Sequence, residues 1–246
     1  KWVFKASGRI VAHVGVFPFT CVVEGGRMRV AGIGGVATDP SFRGRGFMQD
    51  LLEFVDRRNR DQGYALSILW GDRWRYNQFG YERALVHNRF VFSRRFFRRP
   101  AGDGAVRRMA PPDLPVLYRL FSRHPFRCQR DRTGQRLALS RHLEGQEPRI
   151  LVWEGRRGVE AYAMFFRDRE RSPRNWGLAE WGGTEKHVMT LMGHFLHQEG
   201  VGTVVASFPE GGNLFREAAL QCDEMTRSTL GGMVRVEGDL DPETGE

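Results

Sequence analysis

Arg43-Gly44-Arg45-Gly46-Phe47-Met48 is the stretch whose residue types and spacing could do chemistry. Two glycines let the backbone come close to a ligand, and two arginines add planar positive charge. Directly after them Phe47, Met48, Leu51, Leu52 and Val55 recur at helical spacing, Arg57, Arg58 and Arg60 fall in the closing turns, and Gly63 can take a left-handed cap. Unpaired N–H groups and the positive end of a helix dipole would then point the same way, which suits a pyrophosphate. No Gly-Lys-Ser/Thr follows and Gly-x-Gly-x-x-Gly is missing, so neither the P-loop nor the dinucleotide signature is present.

The elements that must position this turn are a strand before it and a helix after it. Residues 30–37 are an apolar, glycine-broken run that reads as a buried strand, ended by the turn chemistry of Thr38-Asp39-Pro40. A second strand is expected at 65–70, followed by the aromatic segment Tyr76-Asn77-Gln78-Phe79-Gly80-Tyr81.

Strand, Arg-x-x-Gly turn and helix together resemble the acyl-coenzyme A loop of the GNAT (GCN5-related N-acetyltransferase) superfamily, whose pattern is Arg/Gln-x-x-Gly-x-Gly/Ala. Arg43 and Gly46 match it, while Met48 stands where a small residue is expected, a departure that the Eis-like branch tolerates. The segment from Tyr76 to Ala84 resembles that branch's Tyr-x-x-x-Gly-Phe/Tyr segment. The resemblance implies that Val36, Ala37, Thr38, Arg43, Gly44, Arg45, Gly46, Phe47 and Met48 hold acetyl-CoA as acyl donor. It also implies that Tyr76 is the acid for the departing thiolate, in direct transfer to a primary amine. Amide formation from a thioester needs such an acid, a deprotonated amine and support for the developing oxyanion; a core aromatic is the alternative reading of Tyr76. The general base stays open, with Glu24 or a water chain as candidates. The superfamily's opening strand and two helices are not seen; they are expected ahead of Lys1 or lost.

The order of elements starts again from residue 106. Hairpin, strand, helix, strand and helix repeat, so the expected fold class is α/β: two tandem GNAT-like domains, each with a mixed central sheet flanked by helices. Residues 1–100 are expected as the acetyl-CoA-binding catalytic domain, with 85–92 as its last strand. Residues 101–236 are expected as a degenerate second domain, because Trp181-Gly182-Gly183-Thr184-Glu185-Lys186 has no Arg-x-x-Gly and adds an acid. Residues 237–246 are expected to be a solvated acidic tail.

The net charge is +9, and only Lys1, Lys5 and Lys186 among the 38 basic residues are lysine. Arginine dominance favours bidentate contacts to phosphates, and the phosphates of coenzyme A account for a basic surface without nucleic acid. Arg94, Arg95, Arg98 and Arg99 around two phenylalanines could bind nucleic acid, but a strand end with solvated arginines and two buried rings explains the same letters. His187, His194 and His197 share a helical face without an acid or cysteine to complete a zinc site, so no metal is expected. Cys21, Cys128 and Cys222 are far apart and odd in number, which points to no disulfide framework and to a cytoplasmic setting. No apolar run approaches the roughly 20 residues of a membrane span. The expected partners are a small-molecule or lysine-type amine acceptor and, in a homo-oligomer, further copies of the chain. The rival reading is a non-catalytic acyl-CoA-binding or regulatory module on the same fold.

Overall fold

The computed structural model describes residues 1–95, 97, 104–140, 148–167, 174–198, 200–229 and 232–237. It is a mixed α/β structure with two sheets, and its contacts divide the chain into two units. The first unit holds Lys1–Val86, Pro125–Gln129 and Thr229–Glu246; the second holds His87–His124 and Arg130–Ser228.

In the first unit β1 (Trp2–Ala6), β2 (Arg9–Val23) and β3 (Gly26–Thr38) form an antiparallel meander. Helix α1 (Phe47–Asp61) then crosses to β4 (Leu66–Leu69), which runs parallel to β3. The crossover follows from side-chain periodicity. Ala12 and Val14 of β2 and Ala31 and Ile33 of β3 alternate onto one face and bury against Leu51, Leu52 and Val55 of α1. Trp2 and Phe4 of β1 close the same core through ring contacts with Phe54 and Phe47. A short helix α2 (Arg73–Tyr76) leads to β5 (Glu82–Arg83).

Residues 87–93, expected to close the first domain, belong elsewhere. As β6 (His87–Ser93) they pair with strands of the second sheet. In that unit follow β7 (Ala105–Arg108), α3 (Leu114–Phe121), α4 (Arg132–Leu139), β9 (Arg149–Gly155), β10 (Gly158–Arg167), β11 (Asn175–Gly183), α5 (Glu185–Leu196), β12 (Thr203–Ser207), α6 (Asn213–Gln221) and β13 (Glu224–Ser228). Between α3 and α4 the chain visits the first unit as β8 (Phe126–Cys128), which pairs with β2. The last strand among the described residues, β14 (Met233–Val236), returns there between β4 and β5. Each sheet therefore completes itself beside its parallel strand with a segment from the other half of the sequence, and the compact units do not coincide with limits drawn near Pro100. Pro100 itself lies outside the described residues, as do Phe96, Arg98, Arg99 and residues 238–246.

The tail expectation is corrected at its first residue. Glu237 is 3% exposed. Its N–H donates to the Ala65 carbonyl at 2.9 Å, continuing the β14–β4 ladder, and the Ser67 hydroxyl donates to its carboxylate. Arg235 and Arg60 lie 3.7 and 3.9 Å from it. Ladder register, which a local sequence reading does not see, draws this acid inside.

The second sheet is covered on both faces. Leu151, Trp153, Ala163 and Phe165 pack against α5 and α6, while Ile150, Val152, Tyr162, Met164 and Phe166 pack against α3 and α4. Burial of both faces is why β10 reads as an almost unbroken apolar run rather than an alternating one.

Candidate functional site

The parallel contact between β3 and β4 is short: Val30, Ala31 and Gly32 stand opposite Leu66, Ser67 and Ile68, and no further pairing follows. β3 runs on to Thr38 with β2 on one side only, so its other edge presents free backbone groups from Ile33 onward. A bulge marks the place. Between the pairs Gly15↔Gly34 and His13↔Ala37, Gly35 and Val36 together face Val14. Gly35 takes the left-handed φ of 62° that the bulge requires, and its carbonyl lies 2.7 Å from His13 Nδ1.

Past Thr38 the chain turns. Asp39 accepts from the Ser41 N–H at 2.9 Å, Pro40–Phe42 make one 3₁₀ turn, and residues 43–46 stand exposed. Gly46 is the N-cap of α1 at φ 80°, ψ −9°, with no side chain capping the helix. A left-handed N-cap without a side-chain acceptor leaves the first-turn N–H groups for something else to satisfy. A Cβ added at Gly44 or Gly46 would meet nothing within 4 Å, so both positions open onto space. Arg45 lies over the Phe42 ring at 5.1 Å, and neither Arg43 nor Arg45 is paired with an acid among the described residues.

The strand edge and the turn line one cleft of about 540 Å³, together with Phe42, Gln49, Arg75, Gln78 and Phe79. All nine residues expected to hold the acyl donor, Val36 to Thr38 and Arg43 to Met48, are in that lining. The buried Thr38 Oγ1 has no hydrogen-bond partner. An orphaned hydroxyl among open backbone donors fits a polar, phosphate-bearing chain molecule laid along the strand edge.

Tyr76 sits differently. It is 6% exposed, its ring stands edge-on to Tyr81 at 6.4 Å, and a Cβ at Gly71 would come within 2.6 Å of it. It is not among the residues lining the cleft, although Arg75, Gln78 and Phe79 beside it are. Glu24 lies in the hairpin turn at the far end of β3, about 40 Å of strand from Thr38, which removes it as a base for this cleft.

Beneath α1 lies a polar cluster that sequence reading did not anticipate. Asp56 pairs with Arg235, Asn59 donates to Ser67 at 3.1 Å, and Tyr81 donates to Asp56 at 3.5 Å. Burial, only partly offset by Arg235, pushes the Asp56 carboxyl up to about 6. The histidines weighed as metal ligands have other work: His187 stacks on Trp153 at 4.8 Å and His197 lies 2.8 Å from the Gly193 carbonyl. Arg94 donates to the carbonyls of Leu196 and Gln198 at the end of α5.

Residues 1–84 match the family model described as acetyltransferase (GNAT) domain. The uncharacterized N-acetyltransferase YhbS of Escherichia coli K12 is 32% identical over 83 residues, which are 33% of this chain and 48% of that protein. The match thus spans about half the length of the curated relative. A conserved protein from Enterococcus faecalis V583, described as a probable N-acyltransferase, shares the fold with a TM-score of 0.80 at 20% identity, over 96% of this chain and 61% of its own. Eis1 from Mycobacterium abscessus gives 0.68 at 15% identity, over 96% and 63%. Both cover the two units, and at these identities the likeness is one of fold. Among the described residues no helix is long and apolar enough to cross a membrane, and no group of three or more His, Cys, Asp or Glu residues could hold a metal ion.

Proposed function

We propose that this chain, whose residues 1–84 match the GNAT acetyltransferase domain model, transfers an acetyl group from acetyl-CoA to a primary amine by direct attack. The observation that carries the reading is the uncapped start of α1 at Gly46, set beside the unpaired edge of β3 in one cleft. The N–H groups of residues 43–48 and the guanidinium groups of Arg43 and Arg45 would hold the pyrophosphate. The edge of Val36, Ala37 and Thr38 would pair with the extended pantetheine arm as an added strand, with Thr38 Oγ1 finding its partner there. Acetyl-CoA supplies an activated acyl group. Backbone N–H groups on the open edge of β3 beside the Gly35–Val36 bulge would support charge on the thioester carbonyl oxygen, and Tyr76 is assigned the proton for the departing sulfur.

A non-catalytic acyl-CoA-binding or regulatory module is the second reading, favoured by the burial of Tyr76 outside the cleft lining. A panel of amine acceptors with labelled acetyl-CoA separates the two. Label appearing on an acceptor supports transfer; saturable binding without transfer to polyamines, aminoglycoside-type amines or lysine peptides supports the module; absence of binding sinks both.

A further inference from the structure

Two cysteines that lie far apart in sequence meet on neighbouring strands of the first unit. β2 and β8 pair antiparallel with Cys21 opposite Cys128. In the same register the Gln129 N–H donates to the Thr20 carbonyl at 2.7 Å and the Glu24 N–H to the Pro125 carbonyl at 2.9 Å. Hydrogen-bonded and non-hydrogen-bonded pairs alternate along an antiparallel ladder, so the pair next to Thr20 and Gln129 is a non-hydrogen-bonded one. Such positions bring Cα atoms to about 4.5 Å, inside the roughly 4.4–6.8 Å that a disulfide spans. Both thiols are free, with Cys128 exposed and Cys21 half-covered. Burial first, then the neighbouring Cys128, pushes the Cys21 thiol up to about 11. Cys222 lies in the other unit, just past α6, with its thiol toward the Ala219 carbonyl at 3.7 Å.

The location gives the pair a consequence. Residues 125–129 belong to the first unit while the chain on either side belongs to the second, and they are held to β2 by three residue pairs and one flanking backbone bond at each end. A strand so short is held weakly by its backbone bonds.

We propose that Cys21 and Cys128 form a reversible cross-strand disulfide, a thiol-modification site that fastens residues 125–129 to the first sheet when a low-molecular-weight disulfide is the oxidant. The exposed Cys128, as thiolate, attacks one sulfur of the small disulfide; its S–S bond breaks and the released thiolate takes up the proton that Cys128 lost. Cys21, on losing its own proton, attacks the Cys128 sulfur of the mixed disulfide, and a second small thiolate leaves and is protonated. Two protein thiols are oxidised by two electrons, and one small disulfide is reduced to two thiols.

The test is incubation of the full chain with oxidised glutathione in mildly alkaline buffer. Alkylation, non-reducing digestion and mass spectrometry follow, with melting recorded before and after. The expected result is a Cys21–Cys128 linked peptide with Cys222 alkylated. The melting temperature should rise by on the order of 10 °C or more, as for closing a loop of about 100 residues, and dithiothreitol should reverse the rise. Cys21→Ser should stop at a glutathione adduct on Cys128. A wild-type chain that ends as a lasting adduct on Cys128, links Cys222 instead, or leaves all three thiols open to alkylation overturns the proposal.

Discussion

Two strand-to-helix junctions of this chain, β3 to α1 and β11 to α5, share a topology and differ in what stands at the helix start. From β3 to α1 eight residues intervene, the N-cap is Gly46, and the space beyond its Cα is open. From β11 to α5 only Thr184 intervenes, and Glu185 places an acid in the first turn. The hydroxyl of Thr184 meets His187 Nδ1 at 2.7 Å, with Glu160 3.6 Å from the same nitrogen, and a Cβ at Gly183 would collide with the Glu160 carbonyl. The parallel contact next to each junction is equally short, three residue pairs in both sheets. Neither helix start carries a side-chain cap hydrogen bond, so what separates the junctions is the loop: one opens onto space beside two arginines, and the other is short and sets an acid in the first turn. The helices differ as well: α1 buries Asp56 and Asn59, whereas α5 buries apolar residues and Gly193.

The largest effect is expected at the residue least exposed to the cleft. Under the proposed transfer, Tyr76→Phe keeps the ring against Gly71 and Tyr81 and removes only the proton, so turnover should fall by about 10²–10⁴-fold. Acetyl-CoA affinity and melting temperature should hardly move. Full turnover under conditions where chemistry limits the rate would make Tyr76 a core aromatic and leave the junction with a binding role only.

A second difference should show in pH dependence. Asp56 has a folded pKa of about 6, raised from 3.8, so the folded form binds a proton more tightly than the unfolded one. Its stabilising contribution is complete below the unfolded value and is lost as pH rises through 6, an amount of up to about 3 kcal/mol. Denaturant melts of the wild type and Asp56→Asn between those pH values should differ in slope, the variant being flatter. Equal slopes would mean that Arg235 offsets the burial in full.

Smaller still is the effect expected at Thr38. Thr38→Val keeps the shape and removes an orphaned hydroxyl. Acetyl-CoA affinity should fall about two- to tenfold, as for one lost hydrogen bond, while stability stays level or rises. Calorimetry that shows unchanged affinity would mean the hydroxyl does not face the ligand.

Sequence was informative wherever the determinants were local. The Arg43–Gly46 spacing, the apolar stripe from Phe47 to Val55 and the turn at Thr38-Asp39-Pro40 each depend on neighbours in the chain, and α1 and the loop stand where they were expected. The pairing of β6 with β12 and of β14 with β4 depends on partners more than 100 residues away, and neither strand carries a residue pattern naming its partner. The same limit hid Glu237, the Asp56–Arg235 pair and the meeting of Cys21 with Cys128. The bulge at Gly35 left a faint trace in the run Gly32, Gly34, Gly35, but its register is visible only once β2 is paired.

If only the β3–α1 junction can take an acyl-CoA, the chain has one such site, at the start of α1. Titration of the chain with acetyl-CoA in a calorimeter should give one site per chain. Gly46→Glu, which places a carboxylate in the open space at the start of α1, should weaken that site by an order of magnitude or more. Two equivalent sites per chain, or one site indifferent to Gly46→Glu, would contradict the assignment of acyl-CoA binding to the first junction.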